Sequence, residues 1–264
     1  MSSQDEAVEV AFTGERLHAG SSLFGVDLAR HRAAYSFAAT LAEGRSVLDL
    51  GCGSGYGAHE LAHTAAWLVA VDRVRPDPAS RRGAACFLRA DIDGLPLVPA
   101  SFDLVVSFQV IEHLEDPSPY LAAMARLVRP NGTVLITTPN LLTSDQVNPF
   151  HVREYESEEL KQVIGLHFDD VEMRGVGMTA PVRAYHDARL ARIHSIMRLD
   201  VLNLHQRLPR SWIEWAFGTL AKVVRRGIQR GEGLPEVSPA DFPVGPPSQE
   251  DIDLLAICRA PRDH

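Results

Sequence analysis

Short apolar runs ending in glycine or a carboxylate recur through the chain, and each is the right length for a strand covered on both faces. Val47, Leu48 and Leu50 form the first, which runs into Gly51, Gly53 and Gly55. Further runs follow at Trp67 to Asp72, Phe87 to Ile92, Ser101 to Phe108, Leu127 to Ile136, Asp169 to Gly175 and Asp253 to Ala260. Helical periodicity marks Val26 to Leu41, a segment opening at Tyr56, Tyr185 to Gln206, and a stretch from Ser211 with Ile213, Trp215, Phe217, Leu220, Val223 and Val224. A Pro-rich stretch from Leu234 to Pro247 separates these last helices from the final strand. Strands alternating with helices predict an α/β fold around a mostly parallel sheet.

The turn after the first run carries the first chemical information. Glycines at 51, 53 and 55 let the backbone bend tightly beside a ligand, and the helix opening at Tyr56 aims its N-terminus at the same place. A nucleotide-like ligand is expected there. The dinucleotide pattern Gly-x-Gly-x-x-Gly counted from Gly51 would need glycine where Tyr56 stands. Asp72, 21 residues after Gly51, closes the second strand with a carboxylate placed to accept hydrogen bonds from both ribose hydroxyls.

Taken in order, Val47 to Gly57, the strand ending in Asp72, Phe87 to Ile92, Ser101 to Phe108 and Leu127 to Ile136 resemble the motif series of the class I S-adenosylmethionine-dependent methyltransferases. The resemblance implies a Rossmann-like, seven-stranded, mostly parallel sheet with helices on both faces, and S-adenosyl-L-methionine as cofactor. It also implies that Asp49 lies near the amino acid end of that cofactor, that Asp91 takes the adenine amino group and that Ile92 flanks the ring. Tyr56, Arg73 and Phe108 complete the implied cofactor set.

Composition narrows the setting. The chain of 264 residues is expected to form one domain, with a cap-helix region at 13–44, a core at 45–175 and 251–261, and a helical insertion or lid at 176–250, between the sixth and seventh strands. Three cysteines make neither a metal set nor a disulfide framework, and Met1 to Val10 is acidic where a signal peptide is basic and then apolar. A cytoplasmic protein is expected, without a membrane span, since no apolar run approaches ~20 residues. The formal charge of -8 argues against a general nucleic-acid binder, although Pro181 to Arg230 holds ten basic residues against three acids. Those insertion helices can pack on the core, close over the substrate, form a homodimer contact or lie on a membrane surface. In the cap helix, Arg30, His31, Arg32 and Tyr35 can face the cofactor cleft or form a solvated face.

Reactive side chains gather after the fourth and fifth strands, at the carboxyl end of the sheet where α/β proteins bind ligands. Gln109, Glu112 and His113 follow one strand, and His151 follows the other after Thr138, Pro139 and Asn140. A hydroxyl acceptor must lose its proton as the methyl transfers, which suits a histidine base: His151 first and His113 second, with Glu112 orienting the loop or touching the cofactor. Gln109, Glu112, His113 and a distal His151 also resemble the Glu-x-x-Glu-His and distal histidine of small-RNA 2'-O-methyltransferases, and in part the ubiquinone-pathway O-methyltransferases. Both use a divalent ion such as Mg²⁺, and the glutamine at 109 removes one carboxylate from their pattern.

Thr13 to Leu61, Phe108 to His113, and Thr138 to Asn140 followed by Asn148 to Glu154 together resemble actinobacterial sugar O-methyltransferases of polymethylated mannose or glucose polysaccharides. The resemblance implies a small carbohydrate acceptor, on which Tyr185, Trp212 and Trp215 can stack unless they serve as packing. An RNA or quinone acceptor, and an idle cofactor-binding module, are the alternatives.

Overall fold

The structure is a computed structural model that describes residues 25–76, 85–92, 94–197 and 236–262. Thr13 to Arg16, the helix expected from Ser211, Trp212 and Trp215, and the dimer contact expected there lie outside these residues. In chain order the elements are α1 (Gly25–Ala42), β1 (Ser46–Leu50), α2 (Tyr56–Leu61), β2 (Trp67–Asp72), β3 (Ala85–Arg89), β4 (Phe102–Phe108), α3 (Ser118–Leu127), β5 (Val128–Pro139), α4 (Ser157–Ile164), β6 (Phe168–Val176), α5 (Ala180–Met197), β7 (Val244–Gly245) and β8 (Asp253–Pro261). A 3₁₀ turn at Ile111–His113 follows β4, and a second occupies Pro239–Asp241.

The sheet has eight strands in the order β3-β2-β1-β4-β5-β8-β6-β7. Strands β1 to β5 pair in parallel, while β8 runs antiparallel between β5 and β6. The expected count of seven is corrected by β7, two residues inside the Pro-rich stretch that pair antiparallel with the end of β6. Proline cannot donate to a ladder, so a strand among prolines stays short and at the edge, and no apolar run advertises it. Strand β3 begins and ends earlier than Phe87 to Ile92, which leaves Asp91 and Ile92 on the loop beyond it.

Side-chain alternation divides the core. Val47 joins Leu104, Val106, Leu135, Leu255 and Ile257 on the face covered by α1, α2 and α5. Leu48 and Leu50 join Val105, Val134, Ile136, Leu254 and Ala256 on the face covered by α3 and α4. The same period of two sends Asp49, fully buried, toward α1. Helix α1 meets α2 closely at Gly57, where a Cβ would fall inside the ring of Tyr35. Gly57→Ala is expected to destabilise the fold by about 1 to 3 kcal/mol, as overpacking does, and to push Tyr35 off Asp49. Chemical denaturation reads the first effect. Within the described residues no helix is long and apolar enough to cross a membrane.

Candidate active site

A cavity of about 790 Å³ opens at the carboxyl ends of β1, β2, β4 and β5. Gly51 bends the chain out of β1 at φ 85°, a conformation that favours glycine, and a Cβ there would also strike Val110. The turn is tied down from β2: the Gly51 and Cys52 N–H groups donate to the Val71 carbonyl at 2.8 and 3.1 Å. The Gly53 N–H donates to Asp72 Oδ2 at 2.8 Å and the Val74 N–H to Asp72 Oδ1 at 2.9 Å. Gly51, Gly53, Tyr56, Asp72, Arg73, Asp91, Ile92 and Phe108 all line the cavity. Gly55 backs this wall as the left-handed N-cap of α2, at φ 87°.

Asp49 lies beneath the cavity floor rather than on it. Its two oxygens are 3.4 and 3.2 Å from the Tyr35 hydroxyl, which donates to them. Burial raises its carboxyl to about 7, against the opposing Tyr35 bond and with a further push from Asp72. Helix α1 forms the roof. His31 Nδ1 is 3.0 Å from the Tyr56 hydroxyl, and burial followed by the Arg30 charge lowers its pKa to about 3, so the ring is neutral. Arg30, His31 and Tyr35 line the cavity, whereas Arg32 is a helical step around and pairs with Glu60 of α2 at 2.6 Å.

The expected rim residues do converge. Glu112 and His113 sit on the 3₁₀ turn after β4, and the Val152 and Arg153 N–H groups clasp the Glu112 carbonyl at 2.8 and 3.1 Å. That clasp brings His151 to His113, with ring centroids 5.2 Å apart in an edge-to-face arrangement at 68°. One ligand atom from each of Glu112, His113 and His151 lies within 4.8 Å of the others. His113 Nδ1–H donates to the Phe150 carbonyl at 3.0 Å, and His151 Nδ1–H donates to Glu154 Oε1 at 2.6 Å. Both bonds place the accepting lone pair of a neutral ring on Nε2. Thr138 Oγ1 donates to Glu112 Oε2 at 3.1 Å, while Glu112 Oε1 is buried without a hydrogen-bond partner. Burial raises the Glu112 pKa, against the pull of His113 and His151.

Gln109 does not join this cluster. It occupies the left-handed region at φ 57°, and its side chain reaches Arg30 Nη2 at 3.5 Å and Thr137 Oγ1 at 3.4 Å. Arg30 in turn pairs with buried Asp253 of β8 at 3.3 Å. Helix α5, the start of the expected insertion, supplies His186, Arg189 and Ile193 to the cavity wall. The sequence placed Thr138 and Glu154 at this rim without a role for either, and it did not bring Asp253 or Arg189 to the site. Only Glu154 carried a local signal, its three-residue spacing from His151.

A methyltransferase domain family model matches residues 48–136. A Mycolicibacterium smegmatis protein named "Probable S-adenosylmethionine-dependent methyltransferase" is 31% identical over 277 residues, spanning 99% of this chain and 100% of the relative. A ubiquinone biosynthesis O-methyltransferase of Paracidovorax citrulli is 35% identical over 107 residues, 37% of this chain and 45% of that protein. The crystal structure of a SAM-dependent methyltransferase from Thermotoga maritima superposes with a TM-score of 0.56 at 14% identity, covering 90% of this chain and 92% of that one, which shows a shared fold. The chain belongs to the S-adenosylmethionine-dependent methyltransferases, and S-adenosylmethionine is its cofactor.

Proposed function

We propose that the chain is an O-methyltransferase acting on a hydroxyl of a carbohydrate acceptor, with His151 as general base. The observation that carries this reading is the pair of oriented imidazoles at the cavity rim, each with its Nδ1–H committed to a fixed oxygen. An imidazole held by a third group is the arrangement that takes a proton from a reacting hydroxyl. His113 supports the same hydroxyl from the other loop, and buried Glu112 favours positive charge building on either ring. The relative named as an O-methyltransferase agrees with oxygen as the methylated atom.

The glycine turn and Asp72 fit the cofactor. An ionised carboxylate has about four lone-pair sites, and backbone N–H groups occupy one on each Asp72 oxygen, leaving acceptors for two ribose hydroxyls. Asp91 and Ile92 serve the adenine end, and Tyr56, Arg73 and Phe108 complete the walls. Asp49 and α1 serve the amino acid end. When bound, S-adenosylmethionine supplies an electrophilic methyl group, so the protein's own task is to align the acceptor and remove its proton.

A second reading rests on the same cluster. Ligating histidines characteristically donate their other N–H to a carboxylate or carbonyl, as His113 and His151 do. Glu112, His113 and His151 therefore suit a divalent ion. Two imidazoles and one carboxylate favour zinc or a first-row transition metal over the oxygen-rich shell that Mg²⁺ prefers. Transfer of labelled methyl groups to neutral hexosides and their oligomers, with and without a chelator, tests both readings. Chelator-resistant transfer to sugars is expected. Loss with the chelator and rescue by a metal favours the second reading, and transfer only to phenols or RNA ends overturns the carbohydrate acceptor.

A further inference from the structure

Asp49 is fully buried near the carboxyl end of β1 and is not part of the cavity lining, whereas Tyr35 of α1 is. The Tyr35 hydroxyl lies 3.2 and 3.4 Å from the two Asp49 oxygens and donates to them. Any influence of the carboxylate on a ligand in the cavity therefore passes through a phenol.

That phenol has little freedom. The Cε1, Cε2 and Cζ atoms of its ring lie against Gly57 of α2, so closely that a Cβ there would collide with all three. Edge-to-face contacts with Phe108 at 4.8 Å and Tyr56 at 5.8 Å hold two further sides of the ring. A hydroxyl has one proton and two lone pairs. With its proton committed to Asp49, the Tyr35 oxygen is left as an acceptor on a residue of the cavity wall. An acceptor backed by a carboxylate suits a positively charged N–H donor, because charge-assisted hydrogen bonds are roughly twice as strong as neutral ones. The amino acid end of S-adenosylmethionine carries such a donor, its ammonium group.

We propose that Tyr35 is the residue that meets this ammonium group, its hydroxyl oxygen accepting from the cofactor while its proton is donated to Asp49. The proposal rests on the placement of the amino acid end at Asp49 and α1, and adds the contact through which that end is read.

Cofactor affinity then depends on pH. Burial, aided by Asp72 on β2 and opposed by the Tyr35 bond, raises Asp49 to about 7. Of the other groups that Asp49 acts on, Cys52 on the glycine turn, Tyr56 on α2 and Tyr35 itself are all raised by burial and stay neutral, and β4 contributes uncharged Phe108. A cationic ligand favours the ionised carboxylate, so affinity rises as the Asp49 proton leaves for solvent. The free cofactor's α-amino group titrates at about 7.7 to 8.0, so the interval from pH 6 to 7 reports on Asp49.

Calorimetry on the full chain compares S-adenosylhomocysteine with its desamino analogue, in which hydrogen replaces the amino group. The native chain is expected to bind the former ~10- to 100-fold more tightly, the worth of a charged hydrogen bond. Tyr35→Phe keeps the ring and its packing and should close most of that gap by weakening the amine-bearing ligand alone. A variant that merely packed worse would weaken both ligands together, so retained binding of the desamino analogue also reports an intact fold. Between pH 6 and 7 the native affinity for S-adenosylhomocysteine should rise by up to about fivefold, a rise missing from Asp49→Asn. A gap that survives in Tyr35→Phe, or a native affinity flat over this interval, overturns the proposal while the amino acid end stays at Asp49. A desamino analogue that binds the native chain as tightly as S-adenosylhomocysteine overturns that placement as well.

Discussion

Replacing His151 by alanine is expected to lower the rate of methyl transfer by ~10²- to 10⁴-fold, the usual worth of a positioned general base, with S-adenosylhomocysteine affinity unchanged. The separation follows from the geometry. His151 reaches the cavity from the loop after β5, held by the Glu112 carbonyl clasp and by Glu154, whereas the glycine turn and Asp72 form the opposite end. Alanine removes the imidazole and leaves the backbone clasp in place. Glu154→Gln should cost less, since an amide oxygen can still accept from Nδ1–H but supplies no charge to steady a protonated ring. Single-turnover kinetics read the chemical step, and calorimetry reads the affinity. A turnover in His151→Ala equal to that of the native chain would remove the base assignment.

The second large effect concerns stability. Asp49 is fully buried, and its carboxyl titrates near 7 in the fold rather than at its ordinary 3.8, chiefly because burial disfavours the charge. The folded state therefore holds the proton more tightly than the unfolded chain. The stabilisation this provides is fully present below about pH 4 and is lost as pH rises through about 7. Glu112, also raised by burial, acts in the same direction. Asp49→Asn, neutral at every pH, is expected to be more stable than the native chain at pH 8, by on the order of a few kcal/mol. The difference should narrow as pH falls and vanish only below about pH 4. Cofactor affinity should fall in the same variant if Asp49 serves the amino acid end as proposed, because its ionised carboxylate would balance a positively charged ligand. Thermal unfolding of the cofactor-free protein between pH 5 and 8 checks the stability difference, and a pH-independent difference would contradict it.

What could be read from the chain and what could not divide along a physical line. Val47, Leu48 and Leu50 announced a buried strand because both faces of β1 are covered, and that alternation alone sends Asp49 toward α1. Glu112, His113 and His151 were legible as a group because loops at the carboxyl ends of parallel strands share one rim. Asp72 was legible by its distance from Gly51. Pairings made across the fold were not. Arg189 meets Asp27 and Asp145 only once α5 packs beside α1, and Asp253 meets Arg30 through the position of β8 between β5 and β6. Gln109 shows the limit of spacing as a guide: it stands in line with Glu112 and His113, yet its left-handed backbone turns the side chain to Arg30 and Thr137. Arg32 stands two residues from Arg30 and still faces Glu60, because helical residues two apart do not share a face.

The most direct test of the account is the bond that the enzyme makes. The protein is incubated with S-adenosylmethionine carrying a ¹³C-labelled methyl group and a neutral hexoside, and the product is followed by carbon–proton correlation. The account predicts a labelled methyl carbon bonded to oxygen and coupled to a proton of the sugar ring, absent from the His151→Ala reaction. A label on nitrogen or carbon, or equal labelling by the variant, would contradict it.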